Sequence, residues 1–258
     1  MNYGLYLSAS GVLTNLYRQD VFANNLSNSQ TAGFKPHVPA IRQREPEAVE
    51  DQLGPEVSQQ LLEKLGGGVL AGPQWTSFAP SPVEVTGQPM DVAIREPNQF
   101  FAVAEGGQNG SEGVQLTRDG RFSLSSDGEL VTAAGYRVLD VRDQPIRLPA
   151  GAEVRIQADG RVLANGAEVA RVQVARVAQP RHLEKLAGGR FRMPDPDQRQ
   201  MIDQPRLEIG AVETSGVDPI RTLLQLTAAT KAATGNAKMI QYHDSLMDRA
   251  VNSLGRVA

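Results

Sequence analysis

The chain has 258 residues, a net charge of −3, 40% hydrophobic residues, few aromatics and no cysteine. That length allows one or two domains with a real core. The lack of cysteine excludes disulfides, zinc–thiolate sites and thiol nucleophiles; the charge balance gives no pointer to nucleic acid, and no run of about 18 apolar residues exists to cross a membrane.

Residues 3–29 carry helical periodicity. Leu5, Ala9, Val12, Leu16, Ala23 and Leu26 fall on an a/d heptad frame, with Gln19 its polar exception. Tyr6, Leu13 and Phe22 widen the stripe. Three asparagines, Asn24, Asn25 and Asn28, stand where the pattern stops, followed by Gly33 and Phe34. Short polar side chains suit the open amides and carbonyls of a terminating helix. Gly33 then allows a turn, and Phe34 is expected to anchor in a pocket of its own or a neighbouring subunit. Asn2, Gly4, Ser8 and Ser10 interrupt the opening, and no Lys or Arg precedes Arg18. It is not patterned as a secretory signal.

From Pro36 to about Pro82 the pattern is irregular, with acidic residues from Glu45 to Glu56. A short helix is expected over 55–65, between Pro55 and Gly66-Gly67-Gly68, and extended chain elsewhere. From Val83 to about Gly210 short alternating segments read as β, among them Met90/Val92/Ile94, Phe122/Leu124 and Val154/Ile156. Asp119-Gly120, Asp127-Gly128, Asp159-Gly160 and Asn165-Gly166 are expected to make hairpin turns of type I′, in which both central residues need positive φ.

The last segment returns to helix. Asp218 suits an N-cap, and Pro219 suits the first helical position. Its frame runs through Leu223, Leu226, Thr230, Ala233, Ala237, Ile240, Asp244, Met247, Val251 and Leu254. Such a helix is about 55 Å long, more than one small domain covers easily. The fold expected is α+β: N- and C-terminal heptad helices pairing as a coiled coil, with a central all-β domain. The segments expected are 1–35, 36–82, 83–211 and 212–258. An ordinary α+β domain whose end helices pack on its sheet is the plainer alternative.

Chemistry-bearing patterns are missing. His37, His182 and His243 lack metal-ligand spacing. The glycine runs fit neither phosphate-binding fingerprint, and no serine sits in a nucleophile elbow. No catalytic, metal or cofactor residue is assigned.

"FANNLSNSQTAGFK", Phe22 to Lys35, resembles the N-terminal signature of bacterial flagellar axial proteins, the rod and hook group. The match falls on Asn24, Asn25, Leu26, Ser27, Asn28, Thr31, Gly33, Phe34 and Lys35. "MDVAI" (90–94) and "FFAV" (100–103) are similar to the start of that family's β domain. "LTRDGRFSLSSDGELVTAAGYRVL" (116–139) resembles its most distinctive internal stretch, and "VETSGVDP" (212–219) its lead into the last helix. Two departures stand out. Gly216 replaces the family's usual asparagine, with positive φ the expected common property. Pro36 follows the signature and stiffens its exit.

The resemblance implies a structural subunit of the flagellar rod, exported without a cleaved signal and partnered by copies of itself, neighbouring rod proteins and the flagellar type III export apparatus. It implies no cofactor, nucleic acid or membrane insertion. The opening "MNYGLYLSASGV" looks nearer to proximal-rod than distal-rod members. The free monomer's terminal helices are expected to be poorly covered and partly disordered. The rival readings are a peptidoglycan-directed enzyme, a carbohydrate-binding β module with helical anchors, and a cap or chaperone for axial proteins.

Overall fold

The computed structural model describes residues 3–45, 67–105, 113–149, 151–195 and 199–254. The helix expected over 55–65 lies outside them, as does most of the acidic stretch. Two helices bracket the chain, α1 over Tyr3–Ser27 and α2 over Pro219–Leu254. Both ends fall where their residues dictate. Pro219 opens α2, as its fixed φ and missing N–H favour, and α1 stops at the asparagine cluster.

The chain divides into two compact units. One holds Met1–Ser27, His37–Trp75 and Pro219–Ala258; the other holds Asn28–Pro36 and Thr76–Asp218. In the first, α1 and α2 pack along each other rather than on a sheet. They run antiparallel: a Cβ on Gly4 would lie 2.7 Å from the His243 ring, and one on Gly11 2.5 Å from Asn236 Nδ2. These two glycines, seven residues apart, let the helices approach closely. Elsewhere α1 packs against Val69–Ala71, which pairs antiparallel with Ile41–Gln43.

The second unit is β. Gln99–Ala104 runs through its main sheet, flanked by Gln115–Thr117, Arg137–Val138 and Val174–Val177, all antiparallel. Its sequence QFFAVA is a continuous apolar run because both of its faces are covered. Phe101 points into a core with Val92, Phe122, Leu130, Val138 and Val174. Phe100 points into another with Leu116, Val177 and Phe191. A separate meander joins Val154–Ile156, Arg161–Ala164 and Ala167–Arg171.

The four expected turns divide by backbone angle. Only Asn165-Gly166 has positive φ at both residues, 52° and 82°, as type I′ requires. Gly128 and Gly160 are positive at the second residue alone, and each closes a hairpin. Asp119-Gly120 is corrected: neither residue has positive φ. A Cβ on Gly120 would fall 1.7 Å from the Val92 carbonyl oxygen, so this glycine serves a backbone crossing.

Candidate functional site

The polar end of α1 is built from its asparagines. The Asn25 carboxamide donates to the His37 carbonyl at 2.7 Å and accepts from the His37 N–H at 2.9 Å. It closes the excursion between them like a strand pair. Asn28 accepts from the Thr31 hydroxyl at 3.3 Å through its side chain and from Ser215 Oγ at 2.8 Å through its carbonyl. Asn24 is exposed. Asn25 and Asn28 therefore bond within the chain.

Beyond this turn, three distant stretches meet inside the β unit around Lys35, Arg118 and Glu213. Their side chains are 1%, 2% and 2% exposed, so all three charges are out of water. Lys35 Nζ lies 2.6 Å from Glu213 Oε1 and donates to the Ala79 carbonyl at 2.8 Å and to Ser81 Oγ at 3.3 Å. The same Glu213 oxygen accepts the Ser81 N–H at 3.2 Å. Arg118 Nε approaches Glu213 Oε2 at 3.1 Å as an ion pair without hydrogen-bond alignment. Its Nη1 donates to the Ile94 and Glu96 carbonyls at 3.3 and 3.2 Å. Two cations thus share one carboxylate. Burial lowers the Lys35 pKa, with Glu213 opposing and Arg118 assisting. Burial likewise lowers that of Arg118.

The backbone around this node fits tightly. Gly33 has φ 66°, and its N–H donates to the Glu213 carbonyl at 2.8 Å. A Cβ there would lie 2.4 Å from the Arg118 carbonyl carbon. Phe34 is buried, with Lys185 Nζ 3.6 Å from its ring centre. Lys185 also donates to the Lys35 carbonyl at 2.5 Å, and burial pushes its pKa down to about 7. Gly216 does not have positive φ, which corrects the expected reason for it. A Cβ on residue 216 would meet Pro36 Cδ at 2.9 Å. The two departures from the family pattern touch, and the small residue makes room for the ring.

The helix pair places the remaining predicted residues. Leu5, Ala9, Val12 and Leu26 are half-buried, while Leu16 and Ala23 are exposed. On α2 the stripe covered within the chain is Thr222, Leu226, Ala229, Ala233, Asn236, Ile240 and His243. It shares Leu226, Ala233 and Ile240 with the heptad frame. Leu223 is exposed and Ala237 half-buried. Beyond His243 the same stripe continues through Met247 and Val251, both exposed; the Leu254 side chain lies outside the described residues. Among the described residues, no group of His, Asp or Glu could hold a metal ion, and no helix is long and apolar enough to cross a membrane.

Comparison with known proteins finds flagellar relatives. The model for the flagellar hook protein FlgE/F/G D1 domain matches residues 96–164, which include Arg118. The flagellar basal-body rod protein FlgF of Rhizobium meliloti is 29% identical over 260 residues, covering 99% of both chains. That of Caulobacter vibrioides is 28% identical over 258 residues, covering the whole of both. Over nearly its whole length the chain is thus similar to flagellar basal-body rod proteins. The rod protein FlgG of Bacillus subtilis is 26% identical, covering 96% of this chain and 97% of the other. These relatives are named as flagellar basal-body rod proteins. The family's signature segments are thus the three that meet at the buried charges. Lys35 was named within the signature, but Arg118 and Glu213 were not singled out in their stretches, where other charged residues stand beside them.

Proposed function

We propose that the chain is a structural subunit of the flagellar basal-body rod. It self-assembles through its terminal helices, alongside other basal-body proteins, into a helical shaft that transmits torque. The observation that carries this reading is the helix pair, whose apolar residues are only partly covered by its own chain. Leu13, Leu224, Tyr242 and Val251 are each more than 60% exposed. Covering a few hundred Å² of such surface stabilises by several kcal/mol at roughly 25 cal/mol per Å². In this reading α1 and α2 pair as a coiled coil, and the chain leaves the cytoplasm without a cleaved signal. Torque then passes through many shared helix contacts.

The test is deletion of the gene in its own bacterium, with complementation. Wild-type chain is expected to restore swimming and to appear in isolated basal bodies. Ile240→Asp, which sets a charge between α1 and α2, is expected to abolish both while leaving a protease-resistant β unit. Complete, functional rods in the deletion strain would overturn the proposal.

A further inference from the structure

Gly235 lies in the interior of a 36-residue helix, and no neighbour among the described residues accounts for it. A helix-interior glycine costs about 0.5–1 kcal/mol relative to alanine. Gly4 and Gly11 have a reason, because the opposite helix touches them. A Cβ on Gly235 would meet nothing within 4 Å. It makes a notch on the uncovered side of α2, between the exposed Leu224 on one side and Met239 and Tyr242 on the other.

The uncovered side of α1 offers a matching ridge. Leu13 and Leu16 are 69% and 45% exposed, and Asp20 is exposed one turn further on. At 3.6 residues per turn this ridge is about 160° around α1 from the face holding Gly4 and Gly11. A copy can therefore hold its own α2 and present the ridge at the same time. Positions 9, 13, 16, 20, 23 and 27 advance by four and three residues alternately. Positions 242, 238, 235, 231, 228 and 224 do the same in the opposite direction.

Resting on the rod-subunit reading, we propose that the outer ridge of α1 packs on the outer face of α2 in a second copy, with Leu16 against Gly235 and Asp20 against Lys231. Large then meets small along the contact: Leu16 fills the Gly235 notch, Tyr242 covers Ala9, and Leu224 covers Ser27. Charge agrees with the same register. Arg18 and Asp20 are the charged residues of α1, and Asp20 has no ion-pair partner among the described residues. The outer face of α2 carries Lys231, Lys238 and Arg249, while Asp244 and Asp248 project elsewhere around the helix. Lys231 also lacks an ion-pair partner among the described residues. Two α2 faces would oppose lysines, so each face fits the other kind and not itself. Such a contact is head-to-tail and propagates. The antiparallel order follows from copies that all point one way, because α1 and α2 are antiparallel within each.

The chain has no cysteine, so single-cysteine variants report directly. Leu16→Cys and Gly235→Cys are expressed in the same cells, and basal bodies are isolated and oxidised. The expected product is a mixed 16–235 dimer of this chain, well in excess of 16–16 and 235–235 dimers. Rods in which the thiol introduced at position 16 joins its own kind or a different protein would overturn the proposed contact and leave the rod-subunit reading standing. Absence of the wild-type chain from basal bodies would overturn both. Charge reversal gives a second measurement that does not touch the notch. Asp20→Lys and Lys231→Asp are each expected to weaken incorporation several-fold, and the double reversal to recover it. Failure of the double reversal to recover overturns the register.

Discussion

The β unit and the helix unit treat their demanding groups in opposite ways. The β unit takes three charges out of water and pairs them internally, with Lys35, Arg118 and Glu213 almost wholly covered. The helix unit leaves Leu13, Leu224 and Tyr242 outside, although they would be core residues elsewhere. One unit holds its buried charges by contacts within the chain. The other leaves apolar side chains that, in the rod-subunit reading, neighbouring subunits would cover. The difference separates what a mutation does to folding from what it does to assembly.

The largest expected effect falls on the buried charges. Glu213→Gln leaves Lys35 and Arg118 buried together without a counter-charge, and is expected to destabilise the β unit by about 3–5 kcal/mol in denaturant unfolding. Lys35→Met should cost less, because Arg118 and Glu213 remain balanced and the main loss is the bond to the Ala79 carbonyl, about 1–3 kcal/mol. Equal losses for the two variants would contradict the reading of two cations sharing one carboxylate.

A smaller effect sharpens the contrast within the helix unit. Gly235→Ala is expected to raise the monomer's stability by about 0.5–1 kcal/mol, since its methyl group meets open space. Gly11→Ala should gain less, because its methyl group presses on the Asn236 carboxamide. Thermal unfolding of the two variants compares them directly. A loss on Gly235→Ala would show that the glycine serves the single chain.

The smallest effect is on pH. The Lys185 pKa is lowered by burial from 10.5 to about 7. Between those values the unfolded chain binds more protons than the folded one, so stability rises with pH. It is fully present above 10.5 and lost as pH falls through 7. The charged form keeps its contacts with the Phe34 ring and the Lys35 carbonyl, and Lys185 is partly exposed. The gain from about pH 7 to 10 is therefore expected to be about 1–2 kcal/mol. Lys185→Met should flatten that slope in urea titrations at each pH.

How much could be read from the sequence follows from the distance over which each feature is decided. The helices were legible because their periodicity, Pro219 and the asparagine cluster are local signals. The Asn165-Gly166 turn was legible for the same reason. Asp119-Gly120 misled because the same dipeptide serves a turn or a crossing, and the crossing strand starts near Val92, far from it in sequence. Gly216 misled likewise: its constraint is the ring of Pro36, 180 residues away. The a/d frame found the right period on α2, but period alone does not say which stripe faces a partner. Thr222 and Ala229 are covered, while the more apolar Leu223 is exposed. The buried charges were illegible as a group, since no pattern in a single chain pairs a lysine with a glutamate so far away.

That separation has a consequence in time. Lys35 and Glu213 are 178 residues apart, and Glu213 stands six residues before α2. At synthesis rates of roughly 5–20 residues per second, Lys35 is made about 10–35 s before its counter-charge exists. During that interval Lys35 has no carboxylate of Glu213 to pair with. Closure of the node is therefore a late event, and a chain cut short anywhere before residue 213 carries Lys35 without its counter-charge.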